Sequence, residues 1–495
     1  MPAKRKIVMI SNRLPPRPER GEENRAKPVG GLASALFSLL DTSGSQSLWF
    51  GWNGRITLSK DRTLTTWRMG NIDFAGIDFS ESEIEGFYNG FCNRTLWPLF
   101  HCFQARIKFS QADFNSYIRV NMRMAQELAP LISKNDTIWV HDYHLMPLGS
   151  FLKAMGFEGA IGFFLHIPFP PIEFWQILPK YEKFAKTLLA YDLVGFQTPI
   201  HLENYINVME KFAGAKREGD WLKLRAHRQM VGAYPIGIDP ERFATAARAQ
   251  SFRGNELKRI VGNRYVILGV DRLDYTKGID ARIQGFHRFL ETCSDWRNKV
   301  CFIQIAPPSR THIPSYLEAK RQIDAIVGEI NGEFGEYNWT PVRFIYRSYG
   351  LNQLARFYRD SDVCIVSSFR DGMNLVAKEF IASQDPKDPG VLLLSQFTGA
   401  AEEMNQAIMI NPYSPDDIAD GIFRALTMPL EERKSRFEAL LKAVKDNTVF
   451  HWGQKFIEDL DAAFNLRKAA RLGKKEQALL YASYDELSEK PRRRY

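Results

Sequence analysis

Apolar residues fall along this chain in two alternating patterns. Short runs rich in β-branched and aromatic side chains predict strands at 7–10, 137–140, 161–165, 193–196, 265–270, 301–305, 342–346, 363–366, 391–394 and 408–410. Between them lie longer stretches in which apolar positions recur at helical spacing, among them 111–133, 172–190, 281–292 and 316–331, with a last one at about 452–472. Strand and helix in alternation over such lengths predict an α/β protein whose parallel sheets are covered on both faces.

The alternation breaks once. Tyr234-Pro235-Ile236-Gly237-Ile238-Asp239-Pro240 is punctuated by Pro and Gly, and the strand–helix rhythm restarts at Tyr265. The expected organisation is a first domain over 1–237, a second over 238–448, a closing helix over 449–472 and a basic tail over 473–495. A length of 495 residues accommodates two to three domains. Hydrophobic residues at 45% and charged residues at 25% are ordinary for a folded protein, and such a chain can bury large cores.

Charge changes the picture only slightly. The net charge of +9 suits an anionic small substrate, nucleic acid or plain solubility. The clusters Lys4-Arg5-Lys6 and Arg492-Arg493-Arg494 read as solvated tails in preference to a nucleic-acid patch. Five cysteines without a C-x-x-C pair imply neither a disulfide framework nor a zinc knuckle, which fits a reducing cytoplasm. The apolar stretch 7–10 is too short for a signal peptide, and no run is long enough to span a membrane.

The polar residues just beyond each strand are more informative. Ser11-Asn12-Arg13 comes after the first, His141-Asp142-Tyr143-His144 after the second, and His166 after the third. Asp271, Arg272, Asp274 and Lys277 come after the run at 265–270, Ser309-Arg310 after that at 301–305, and Arg370-Asp371-Gly372 after that at 363–366. Open α/β sheets bind ligands outside the carboxyl ends of their strands, so charged groups collected there predict a ligand crevice. Arg13, Arg272, Lys277 and Arg310 are cationic. Gly30-Gly31 and Gly372 each precede a helical pattern, at 32–40 and 373–383, whose first amides suit phosphate oxygens. Trp49, Trp52, Tyr88 and Trp97 offer flat surfaces for sugar rings, although each alone fits a core aromatic equally well.

Other chemistries find less support. The pairs Asp360/Asp362 and Asp459/Asp461 have the D-x-D spacing of a metal–diphosphate site. The first precedes its strand, at the wrong end, and the second lies in a helix. His141 and His144 suit hydrogen bonds to hydroxyls better than metal ligation. The chain has no G-x-S-x-G, H-E-x-x-H, P-loop or complete G-x-G-x-x-G motif.

Together the strings SNR (11–13), GGL (30–32), WFGW (49–52), LWP (96–98), WVHDYHLMPL (139–148), FFLHIPFP (163–170), YPIGID (234–239), DRLDYTKG (271–278), APPSR (306–310) and RDGMNLVAKEF (370–380) resemble the trehalose-6-phosphate synthases, the retaining transferases of glycosyltransferase family twenty. The resemblance covers roughly residues 5–465. It implies a GT-B architecture of two Rossmann-like parallel-sheet domains facing a cleft, with the last helix crossing back to the first domain. It implies that Arg13 and Arg310 hold the phosphate of glucose-6-phosphate near Tyr88, that Asp142 binds acceptor hydroxyls, and that Trp97 shapes the acceptor pocket. Arg272 and Lys277 would face the diphosphate of UDP-glucose with help from Gly30 and Gly31. Met373, Asn374, Leu375 and Val376 would line the donor, the last two through backbone amides, and Glu379 would accept the ribose diol. Asp371 and His166 would hold the transferred glucose. No metal or other cofactor is expected.

The implied reaction forms α,α-trehalose-6-phosphate and UDP by a front-face displacement without a protein nucleophile. A separate trehalose-phosphate phosphatase would then act on the product, since the chain carries no D-x-D-x-[TV] phosphatase signature. A homo-oligomer, dimer or tetramer, is expected, with neither nucleic acid nor membrane as partner. The rivals are a glucosylglycerol-phosphate synthase, which takes a smaller acceptor, and a silent regulatory or nucleic-acid-binding protein using the basic termini.

Overall fold

A computed structural model describes residues 6–17, 31–42, 47–58, 63–225, 227–249 and 256–469. The chain divides into two units. One holds the described residues up to Pro235 together with those from Trp452 onward; the other is Ile236–His451.

The first unit is built on ten strands: β1 (Ile7–Arg13), β2 (Ser47–Ile56), β3 (Thr65–Met69), β4 (Ile72–Phe79), β5 (Thr137–His141), β6 (Ala160–Phe164), β7 (Leu193–Phe196), β8 (Lys216–Glu218), β9 (Trp221–Leu224) and β10 (His227–Ala233). Their order across the sheet is β3-β4-β2-β1-β5-β6-β7-β10-β9-β8. Pairing is parallel throughout the middle and antiparallel only for β3 with β4 and for the hairpins β8–β9–β10. Val8, Met9 and Ile10 of β1 are fully buried between neighbours on both sides, which is why this strand reads as a continuous apolar run. Trp139 of β5 stacks on Phe456 of the helix Val449–Ala469 with centroids 4.5 Å apart, so the last helix closes the first unit's core.

The second unit has six strands, all parallel: β11 (Tyr265–Val270), β12 (Val300–Ile305), β13 (Val342–Ile345), β14 (Val363–Val366), β15 (Val391–Ser395) and β16 (Ile408–Ile410), in the order β13-β12-β11-β14-β15-β16. Chain direction across the sheet reverses between β11 and β14. In the first unit it reverses between β1 and β5. Such reversals leave a gap between diverging loops at the carboxyl edge, where ligands bind.

Several expectations are corrected. Strands β2, β3, β4, β8, β9 and β10 were not foreseen: Gly51, Asn53 and Gly54 interrupt the run of β2, and the outer strands carry charges. The helix expected over 172–190 is broken into Ile172–Trp175 and Tyr181–Thr187, because Pro179 stops the first and Lys180 takes a left-handed turn (φ +57°) before the second. The helix expected from 373 begins at Leu375. Among the described residues no helix is long and apolar enough to cross a membrane.

Candidate active site

In the first unit the expected acceptor residues form one connected set at the carboxyl edge, beside the β1/β5 reversal. Arg13 ends β1 and is exposed, its guanidinium 5.0 Å from the ring centre of Trp52 on β2. Trp52 touches Tyr88 at 6.4 Å, and Tyr88 stacks on His144 at 5.9 Å. Tyr88 lies on Ile84–Leu96, a helix wound wider than an α-helix; at its end the Trp97 amide donates to the Cys92 carbonyl five residues back. Such windings are uncommon and occur often at functional sites. Trp97 is buried against His101 and Tyr143. Trp49, which suited a sugar-stacking surface and a core position equally, is a core residue, its indole donating to Ser11 Oγ at 2.8 Å.

Asp142 comes directly after β5 with φ +76°, a conformation that L-residues other than glycine seldom adopt. The strain is held by two bonds to the neighbouring strand end: its amide donates to the Phe164 carbonyl at 2.8 Å, and its Oδ1 accepts from the His166 amide at 3.3 Å. Strained backbone beside a strand end is a mark of functional sites. His166 has both ring nitrogens in contact, Nε2 with His141 Nδ1 at 3.0 Å and Nδ1 with Gln197 Nε2 at 3.4 Å. Burial pushes its pKa down to about 3, and burial, followed by the neighbouring His166, lowers that of His141 well below the usual range. The pair is therefore neutral near pH 7, with a shared hydrogen bond fixing the tautomers.

In the second unit the donor residues meet at the β11/β14 reversal. Lys277 Nζ donates to Asp371 Oδ2 at 2.5 Å, joining the turn after β11 to the turn after β14. Asp371 Oδ2 also accepts from Asn374 Nδ2 at 3.2 Å and Ser368 Oγ at 3.4 Å. The Asp371 amide and carbonyl bond the Phe397 carbonyl and the Gly399 amide, so the carboxylate is fixed from its backbone outward. Asn374, with φ +118°, caps the helix Leu375–Ser383 by accepting from the Ala377 amide. The amides of Leu375 and Val376 are left pointing out of the helix start, as anion sites require.

Glu379 lies one turn in from that start and is buried. Tyr358 donates to its Oε2 at 2.9 Å. Burial pushes its pKa up to about 7 against the Tyr358 hydrogen bond, and the charge of Asp271 adds to the rise. Its neighbour Lys378 is buried as well, donating to the Ile236 carbonyl at 2.8 Å and to Glu403 Oε2 at 2.5 Å. Lys378 and Glu379 thus face different interior partners rather than each other on a surface.

Arg272 and Arg310 share one carboxylate. Arg310 Nη1 donates to Asp274 Oδ2 at 3.2 Å and contacts the Tyr316 hydroxyl, while Arg272 Nη2 lies 3.8 Å from the same oxygen. Arg310 is 4% exposed in its side chain and Arg272 43%, so Arg272 is the more open to a ligand. Arg13 and His166 belong to the first unit, Arg310, Lys277 and Asp371 to the second. Gly31 opens the helix Gly31–Thr42, and Gly30 lies outside the described residues. Among the described residues no group of three or more His, Cys, Asp or Glu side chains is arranged to hold a metal ion.

Sequence reasoning singled out neither Asp274 as the shared anchor of two arginines, nor Tyr358 as the partner of Glu379, nor the pairing of His141 with His166. Asp274 stands inside the DRLDYTKG string and could have been suspected from it. Tyr358 offers no local signal.

Two α/β units with mostly parallel sheets, matched over nearly the whole chain by solved trehalose-6-phosphate synthase structures, give the chain a GT-B fold. The chain belongs to glycosyltransferase family 20, whose model matches residues 5–462, and it is an enzyme of the glycosyltransferase class. The trehalose-6-phosphate synthase of Enterobacter sp. (strain 638) is 39% identical over 464 residues, covering 92% of this chain and 95% of its own. The α,α-trehalose-phosphate synthase (UDP-forming) of Burkholderia xenovorans, solved in complex with glucose-6-phosphate, has a TM-score of 0.86 at 38% identity, over 92% of this chain and 100% of that one. The E. coli structure bound with UDP-2-fluoro glucose also has a TM-score of 0.86 at 38% identity, over 92% and 98%.

Proposed function

We propose that this chain transfers glucose from UDP-glucose to glucose-6-phosphate, with retention and without a metal ion, giving α,α-trehalose-6-phosphate and UDP. The observation that carries the reading is the Lys277–Asp371 pair at the β11/β14 reversal, beside the open amides of Leu375 and Val376 and the buried carboxylate of Glu379. A cation, two amides and a diol acceptor along one edge match the charge pattern of a nucleoside diphosphate sugar. Relatives solved with glucose-6-phosphate and with a UDP-glucose analogue support both substrates.

In this reading Arg272 and Lys277 neutralise the β-phosphate as its bond to the glucosyl carbon breaks. Met373 and Asn374 line the donor, with Gly30 and Gly31 beside its phosphates, and Glu379 takes the ribose hydroxyls. Asp371 and His166 orient the glucose. Arg13 and Arg310 hold the acceptor phosphate with Tyr88, while Asp142 and Trp97 fix the acceptor ring. The acceptor's anomeric oxygen forms the new bond on the face that UDP leaves, and its proton passes to the departing phosphate oxygen. Two cations on the leaving group supply the charge that a divalent ion supplies elsewhere. The product keeps its phosphate, so its removal falls to a separate phosphatase. The free thiols among the described residues suit a cytoplasmic setting, and a homo-oligomer remains the expectation from the family resemblance.

The test is nucleotide release from UDP-, ADP- and GDP-glucose with glucose-6-phosphate or glycerol-3-phosphate as acceptor, with and without chelator. The expected result is UDP release that requires glucose-6-phosphate and survives chelation. Turnover with glycerol-3-phosphate instead would establish the smaller-acceptor rival.

A further inference from the structure

Behind the turn that carries Lys277 lies a wholly buried arginine. Arg282 sits in the helix Ile279–Thr292, and its guanidinium reaches three acceptors on two neighbouring turns. Nε donates to Ser367 Oγ at 2.7 Å, and Nη2 donates to Asp271 Oδ2 at 2.6 Å and to the backbone carbonyl of Lys277 at 3.0 Å. The Ser367 hydroxyl donates in turn to the Gly278 carbonyl at 2.6 Å. At Gly278 (φ +59°) an added Cβ would come within 2.2 Å of the Ser367 carbonyl oxygen, so the two turns touch backbone to backbone. One cation therefore fastens the start of the β11 turn, its Lys277 end and the end of β14.

We propose that Arg282 is a positioning residue for glucosyl transfer: by holding the Lys277 carbonyl, Asp271 and Ser367 together, it fixes where the Lys277 ammonium meets Asp371. The inference rests on the reading of Lys277 as a diphosphate ligand. Stability alone is a poor account of this arginine. A buried ion pair is commonly replaced by apolar side chains without loss, and Arg282 Nη1 is buried with no partner. The rigid fork of a guanidinium, holding three acceptors from two turns at once, is instead suited to registering one turn against the other. Arg282 touches neither substrate in this account; it acts through Lys277.

The experiment compares wild type, Ser367→Ala, Arg282→Met and the double variant Asp271→Leu/Arg282→Met by steady-state UDP release, thermal unfolding and UDP-glucose binding. The double variant removes both buried charges, so a purely structural role predicts recovery of stability and turnover together. Positioning predicts a folded double variant whose kcat is ~10–10²-fold lower, the scale of a misplaced reacting group, with both KM values within ~2-fold of wild type. Wild-type kcat in the folded double variant would overturn the inference. Should neither arginine variant fold, Ser367→Ala decides: a kcat fall of ~10-fold at unchanged KM supports it, and an unchanged kcat overturns it. A wild-type chain that binds UDP-glucose yet releases no UDP with glucose-6-phosphate sinks the transfer reading and this inference with it. Wild-type turnover beside unaffected variants sinks this inference alone.

Discussion

For individual side chains, charge state is set more by burial than by sequence neighbours. Glu379 shows this: its carboxyl titrates near 7 because it is buried, facing Tyr358, Asp271 and Arg242. A raised carboxyl favours the protonated folded state, so its contribution to stability is present at low pH and lost as pH rises through about 7. Donor binding should run the other way, since the ionised form is the better acceptor for two ribose hydroxyls. UDP-glucose affinity is expected to rise between roughly pH 6 and pH 8 and to lose that slope in Glu379→Gln, as calorimetry would read. A flat profile in wild type would remove Glu379 from the ribose. Lys277→Ala should lower kcat by ~10²–10³-fold, the loss of one preorganised charge; UDP release from a folded variant at near-normal rate would exclude that role. Lys277, Asp371 and Glu379 were legible because they stand in strings beside strand ends. Arg282 and Tyr358 were not, since their partners Ser367 and Glu379 lie 85 and 21 residues away and carry no local pattern.

Among the elements, the helix Leu375–Ser383 carries most of the donor chemistry. Its start was expected two residues early, because the apolar pattern extends back to Met373. The cap decides the boundary: the Asn374 side chain takes the Ala377 amide and leaves those of Leu375 and Val376 open. Asn374→Ala is expected to cost ~1 kcal/mol for the lost cap, with more for the positive φ, and to raise the KM for UDP-glucose. Chemical denaturation and steady-state kinetics check the two effects. A destabilised variant with unchanged KM would mean that the amides do not meet the donor. Central strands were legible as apolar runs. The edge strands β3 and β8, and β9 beside the latter, were hidden because charged positions interrupt them, and β2 because Gly51, Asn53 and Gly54 break its apolar run.

At the scale of the whole molecule, the two units differ in their response to acid. The first unit buries His141, His166 and His227, whose pKa values are all lowered by burial, His227 to about 4 and His166 to about 3. A depressed imidazole keeps the folded state neutral while the unfolded chain protonates, so this stability is lost as pH falls below about 6.5. Glu379, in the second unit, pulls the opposite way. Of the ten tryptophans, Trp296 and Trp339 lie in the second unit and the rest in the first, so tryptophan fluorescence mainly reports the first. Its unfolding midpoint is expected to drop between roughly pH 7 and pH 5. A midpoint constant over that range would contradict the neutral histidine assignment. The division into two α/β units was readable from the alternating pattern and the Pro-Gly punctuation at 234–240. The return of the last helix to the first unit came only with the family resemblance, because Trp452 and Phe456 meet Trp139 from more than three hundred residues away. The central claim, metal-free transfer with retention onto a phosphorylated glucose, is tested most directly by NMR of the product formed from UDP-glucose and glucose-6-phosphate in chelator. A single non-reducing disaccharide phosphate with both anomeric centres α is the predicted result. A β linkage, or no product until a divalent ion is restored, would contradict it.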